Sequence, residues 1–257
     1  MSSCTESTVL CVTGMHRSGT SLTASWLEMC GLKLDDGSTY GPEVGNPRGH
    51  FEDKDFVDLH ADALKRRETF SKGWITRTSE QCSFAADEED RARLLAKSRN
   101  EKYPLWGWKD PRTVLFLDQW KRLIPDLKVL LLWRPCLDVG DSLVRRSKKA
   151  NLKVMKISSL TAPGLWKTYN RHLLDFHQRW PDDTVLLPLS TILTQNREAF
   201  EYIQTSLDLD LSYRDIATLV DPEVLGGKKK YPLVLSTLCG LESVLSIEAE
   251  LASRSQL

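Results

Sequence analysis

Residues 9–21 read VLCVTGMHRSGTS. An apolar run ends at Gly14, and five residues later Gly19 is followed by two hydroxyl residues, Thr20 and Ser21. A strand that turns through a glycine-bounded loop into a helix makes a seat for an anion. The first backbone N–H groups of the helix have no partner within it, point outward and carry partial positive charge. Gly14 and Gly19 let the backbone curl around the ligand. Ser18, Thr20 and Ser21 add hydroxyl donors, and Arg17 adds a fixed charge able to hold oxygens at two points. His16 precedes it and either helps hold the anion or packs against the helix. One feature is missing. The loop that cradles nucleotide polyphosphates reads G-x-x-x-x-G-K-[ST], and the lysine position is occupied by Thr20. A strand–turn–helix with a solvated arginine is the plainer alternative.

Outward from this stretch, three more continuous apolar runs follow: LWGW at 105–108, LKVLLLW at 127–133 and TVLLPL at 184–189. Continuous rather than alternating runs suit parallel strands buried on both faces. Helical patterns lie between them, at 20–31, 53–67, 87–101, 137–149 and 159–180, with a terminal helix at 239–253. Two begin acidic and end basic, as the helix dipole favours. Strands alternating with helices predict an α/β fold with a central parallel sheet, taken as a single domain over 1–257. The turn-rich segment 32–51 is expected to be a long loop, and such loops inside compact domains are commonly functional.

Lys plus Arg and Asp plus Glu both number 35 in the 257 residues, so no bulk basic charge argues for nucleic acid, and any anion site must be local. Six cysteines, at 4, 11, 30, 82, 136 and 239, form no C-x-x-C pair. They suggest neither a zinc site nor a disulfide framework, which fits a reducing compartment. The N-terminal residues lack the basic and apolar regions of a signal peptide, and no run approaches the length of a membrane span. A cytoplasmic protein is expected.

Two absences weigh against ATP or GTP hydrolysis. The loop lysine is gone, and the run at 127–133 leads into Arg134 where an Asp would complete a magnesium site. A kinase-like phosphotransferase with an unusual loop, or a nucleotide-binding protein without catalysis, are the competing readings.

At this point the sequence resembles a known family. G-M-H-R-S-G-T-S after a strand looks like the 5′-phosphosulfate loop of the sulfotransferases, with Arg17-Ser18-Gly19-Thr20 matching its basic-S-G-T core. In W-R-P-C-L-D-V-G-D-S, Arg134 and Ser142 match the family's 3′-phosphate pair, an arginine at a strand end and a serine eight residues on. W-G-W-K-D-P-R at 106–112 is similar to the strand-end K-x-P of carbohydrate and protein-tyrosine sulfotransferases, which puts Lys109 near the transferring group; a structural pair with Asp110 is the alternative. N-P-R-G-H-F-E-D at 46–53 resembles a segment of bacterial members whose glutamate matches Glu52, with His50 where relatives carry an aromatic residue. The LPLSTIL segment departs from the tyrosine-glutamate-aspartate-leucine run common after the fourth strand.

The resemblance implies a three-layer α/β/α, P-loop-like fold. It implies 3′-phosphoadenosine-5′-phosphosulfate (PAPS) as donor, no metal, and a hydroxyl-bearing acceptor of the carbohydrate or small-metabolite kind. The donor residues would be Gly14, His16, Arg17, Ser18, Gly19, Thr20, Ser21, Arg134 and Ser142. Arg17 and Lys109 would neutralise charge at the transferring group, and Glu52, or else His50, would be the base. The missing lysine then has an explanation: a single 5′-phosphate with no bound magnesium leaves it nothing to bridge. The aromatic segments at 70–74 and 166–169 either stack on an acceptor or belong to the core.

Overall fold

The computed structural model describes residues 7–37, 51–67, 80–149, 157–220 and 240–257. Strand β1 (Thr8–Gly14) leads into α1 (Thr20–Met29). Helices α2 (Lys54–Arg66) and α3 (Ala86–Asn100) precede β2 (Leu105–Lys109). A 3-10 turn (Pro111–Phe116) runs into α4 (Leu117–Leu123), then β3 (Lys128–Trp133), α5 (Cys136–Lys149) and α6 (Ala162–Arg179). After β4 (Thr184–Pro188) come α7 (Leu189–Thr194) and α8 (Asn196–Leu207), and α9 (Leu241–Arg254) lies near the end of the chain.

The four strands form one parallel sheet in the order β2-β1-β3-β4. Alternation along the strands divides the core in two. Val9, Cys11, Trp106, Trp108, Val129 and Leu131 face one cluster, which Phe56, Trp120, Trp166 and Tyr169 complete from the helical side. Leu10, Val12, Leu130, Leu132, Val185 and Leu187 face the other, closed by Trp26 and Leu27 of α1 and Phe200 and Ile203 of α8. Both faces of every strand are therefore covered, which is why the apolar runs are continuous. The architecture is the expected three-layer α/β/α.

On the first face, Phe56 stacks on Trp108 with centroids 4.5 Å apart, and Trp120 lies 4.9 Å from Trp108. Truncating one such aromatic to alanine typically costs about 3–5 kcal/mol, so this cluster anchors α2 and α4 to the sheet. Trp166 and Tyr169 are fully buried, so that segment belongs to the core; residues 70–74 lie outside the described residues. Cys11, Cys30, Cys82 and Cys136 are buried free thiols.

The strand and helix positions agree with the sequence pattern to within a few residues. Helices α4, α7 and α8 were not expected. The first two have only seven and six residues, too short to display an apolar period. Leu189, expected to end the fourth strand, instead begins α7. No helix among the described residues is long and apolar enough to cross a membrane.

Strand order decides where the site lies. Central β1 pairs Val12 with Lys109 of β2 and Gly14 with Leu132 of β3. The carboxyl ends of three strands are thus level, and the loop after β1 emerges between the residues that follow β2 and β3. Open parallel α/β sheets place their ligands at such an edge.

Candidate active site

The anion seat forms as its residues demand. A Cβ on Gly14 would stand 2.1 Å from the Leu132 carbonyl oxygen, so only glycine lets β1 approach β3 there. The chain then adopts positive φ at Arg17 (72°) and at Gly19 (90°), the residue that caps α1. The first turn of α1 has no side-chain cap, which leaves its N–H groups for other partners. Ser18 is fully buried, and its Oγ has no hydrogen-bond partner among the described residues. A buried orphan hydroxyl beside uncapped N–H groups is unfavourable unless a ligand satisfies it. The residues present fit a bound phosphate.

A second strand end completes this half. Arg17 Nε donates to Ser142 Oγ of α5 at 2.8 Å, joining residues 125 positions apart. Arg134, directly after β3, lies 3.6 Å from Asp138, longer than a hydrogen bond. Arg145 pairs with Asp141 at 2.9 Å. Burial first, then the neighbouring Arg146, Arg134 and Arg145, push the Arg17 guanidinium down to about 10. Among the described residues, four arginines gather here with two carboxylates, Asp138 and Asp141.

The other half lies at the end of β2. Lys109, 1% exposed, donates from Nζ to Glu52 Oε1 at 2.8 Å and to Ser21 Oγ at 3.1 Å. It therefore links the phosphate loop to the candidate base. Burial pulls Lys109 below the usual lysine range, against the opposing pull of Glu52. Its alternative partner, Asp110, is otherwise engaged. Asp110 Oδ1 accepts from the Arg112 backbone N–H at 3.0 Å and from Arg112 Nη1 at 2.8 Å, and its Oδ2 faces His60 Nδ1 at 2.8 Å. Trp120 Nε1 donates to His60 Nε2 at 2.8 Å, so the neutral ring carries its proton on Nδ1 and gives it to Asp110. Burial alone would raise the Asp110 carboxyl. Arg112 and then His60 outweigh it and hold the group far below the carboxylate range.

Glu52 is held by its neighbours. Asp53 caps α2 by accepting from the Asp55 N–H at 2.9 Å. Arg99, reaching across from α3, binds Asp53 at 3.0 Å, Asp55 at 2.9 Å and Asp36 at 2.9 Å. His16 is buried, with its ring 6.0 Å from Tyr169. Burial, then Arg112, drives it well below the usual histidine range, so it is uncharged near neutrality.

The structure thus brings Gly14 through Ser21, Arg134, Ser142, Lys109 and Glu52 to one edge of the sheet. His50 lies outside the described residues. Sequence patterns missed Arg112, Arg99 and the partnership of His60. For Arg112 a signal was present: Asp-Pro after a strand is a helical-turn start, and a turn after Asp110 carries the residue at 112 back toward the strand end. For Arg99, the basic end of a surface helix, there was none.

With this geometry, the chain has the fold of the sulfotransferases. It matches a sulfotransferase from Mycobacterium avium with a TM-score of 0.60 at 10% identity, over 98% of this chain and 77% of that one. The sulfotransferase domain of the curacin biosynthetic pathway gives 0.52 at 13% identity, over 98% and 99%. That of the Synechococcus olefin synthase gives 0.51 at 17%, over 94% and 93%. At these identities the likeness is one of fold. No protein-family model matches the chain, and no curated protein matches it by sequence.

Proposed function

We propose that this protein is a sulfotransferase that uses PAPS to sulfate a hydroxyl of a carbohydrate or other small metabolite. The observation that carries the reading is the Arg17–Ser142 hydrogen bond. It unites two motifs, one suited to a 5′-phosphate and one to a 3′-phosphate, across a single cation-rich seat.

The donor would supply an activated sulfuryl group, whose bond to phosphate breaks as a bond to the acceptor oxygen forms. Gly14, Ser18, Gly19, Thr20 and Ser21 would hold the 5′-phosphate through backbone N–H groups and hydroxyls, with His16 packed behind the loop. Arg134 and Ser142 would hold the 3′-phosphate. Arg17 and Lys109 would neutralise charge on the leaving and non-bridging oxygens, the electrostatic part of such a transfer. Glu52 would take the acceptor's proton as transfer proceeds, since an alcohol is too weak an acid to ionise first. His50 is the second candidate for that role. Most of the catalysis is positioning, and the hydrogen bonds around Lys109 and Glu52 supply it.

Calorimetric titration with 3′,5′-adenosine bisphosphate, beside ATP with Mg²⁺, tests the reading. Tight binding of the bisphosphate that survives EDTA is expected. Arg134→Ala should weaken it at least about tenfold more than it weakens adenosine 5′-phosphate, the size of one lost charge-assisted contact. Preference for Mg-ATP would replace the reading with a kinase-like one.

A further inference from the structure

We propose that Arg112 is a positioning residue for the Glu52 carboxylate, fixed in place by a buried chain through Asp110, His60 and Trp120. The inference rests on Glu52 serving as the base.

Glu52 meets two cations, which differ in freedom. Lys109 Nζ contacts Oε1 at 2.8 Å but also reaches Ser21 of the phosphate loop. An ammonium on a four-carbon stem can turn from one to the other. Arg112 Nη1 stands 3.6 Å from Oε2 and cannot turn. Asp110 Oδ1 grips both its side chain and its own backbone N–H. Asp110 is in turn gripped by His60, and His60 by Trp120. Asp110, His60 and Trp120 are fully buried, and Arg112 is 7% exposed.

A buried charged network of this kind is seldom the cheapest way to fill a core. Here it ends on a carboxylate at the ligand edge of the sheet. Arg112 and Asp110 cancel each other's charge, so Lys109 is the cation that balances Glu52 at rest. When an anionic ligand draws Lys109 away, Arg112 remains at the other carboxylate oxygen. It keeps the Glu52 carboxylate aimed at the ligand edge. The other titratable groups of the neighbourhood are His16 in the phosphate loop, Tyr169 of α6 and Arg146 of α5. Asp53, beside Glu52 in the chain, is held by Arg99.

The test follows the Glu52 carboxyl directly, so it needs no acceptor. Full-length protein labelled with carboxyl-¹³C glutamate is titrated by NMR, with Glu52→Gln to assign the signal, with and without 3′,5′-adenosine bisphosphate. Arg112→Gln should raise the Glu52 midpoint by about 1–3 pH units, the effect of removing an opposite charge at this range. Arg112→Lys should restore half or more of that shift but not all of it. A purely structural arginine would lower the melting temperature and leave the midpoint where it was, and that result overturns the proposal. Should Arg112→Gln not fold, Arg112→Lys decides. Lysine cannot grip Asp110 and reach Glu52 together, so a midpoint raised by about half a unit is expected, and an unchanged one overturns the proposal. Failure of the sulfotransferase reading is a separate result: wild-type protein would not bind the bisphosphate in calorimetry, whatever Glu52 does.

Discussion

The two halves of the site solve opposite problems. At the end of β2, Lys109, Glu52, Arg112 and Asp110 balance to zero: Lys109 bonds Glu52 and Arg112 bonds Asp110 at 2.8 Å, with Arg112 3.6 Å from Glu52. Across β1, among the described residues, Arg17, Arg134, Arg145 and Arg146 outnumber Asp138 and Asp141, and the Ser18 hydroxyl has no hydrogen-bond partner. The first half is complete as it stands, and its charges stabilise the fold. The second, among the described residues, carries more cations than carboxylates and leaves the Ser18 hydroxyl for a ligand. A residue's contribution to folding therefore separates the machinery that aims a reaction from the cradle that receives a ligand.

Three substitutions can break or sharpen that contrast. Lys109→Ala should have the largest effect. It removes the cation that balances Glu52 in a buried site, and breaking such a pair typically costs about 3–5 kcal/mol. Urea unfolding reads that loss. In the proposed reaction, turnover should fall at the same time by about 10²–10³-fold, as when one donor to developing charge is removed.

Asp110→Asn comes next, and its effect depends on pH. The folded carboxyl titrates below its unfolded value of about 3.9. Its stabilisation is therefore full above that value and is lost as pH falls toward the folded pKa. The variant should be less stable by about 2–3 kcal/mol at pH 7, and the gap should narrow below about pH 4. Unfolding curves for both proteins from pH 7 to pH 3 would show it, and a constant gap would remove Asp110 from the charge balance.

Arg17→Ala should do least to the fold. Its guanidinium is opposed by three others, so unliganded stability should change by less than about 1 kcal/mol, in either direction. Bisphosphate affinity should nonetheless fall at least about tenfold, the equivalent of one charge-assisted contact. A large loss of stability instead would erase the distinction between the halves.

The clustering of much of the candidate site was legible in the sequence because it is built from short runs at strand ends. Gly14 and Lys109 end strands, Ser21 lies in the first turn of α1, Arg134 directly follows β3, and Ser142 lies about two turns into α5, so spacing from a strand end fixes their place at the ligand edge. The sheet was legible for the same reason, since β1, β3 and β4 are too apolar to lie anywhere but the middle layer. The partner choices were not. That Lys109 pairs with Glu52, while Asp110 takes Arg112 and His60, depends on how α2 lies against the 3-10 turn, and contacts 57 and 50 residues apart in sequence leave no local trace. His60, part of an amphipathic helix, carried no mark of its buried carboxylate. Arg99 holds three aspartates from two distant segments and was equally silent.

Thr13, the next-to-last residue of β1, donates its hydroxyl to the Asp110 backbone carbonyl at 2.8 Å. The loop that follows β1 and the turn that follows β2 are thereby fastened to one another just where each begins to carry function. This short crossbar adds to the β1–β2 ladder and to the Lys109–Ser21 bond, which join the same two regions. The candidate anion seat and the turn beside the candidate base are two jaws mounted on one frame.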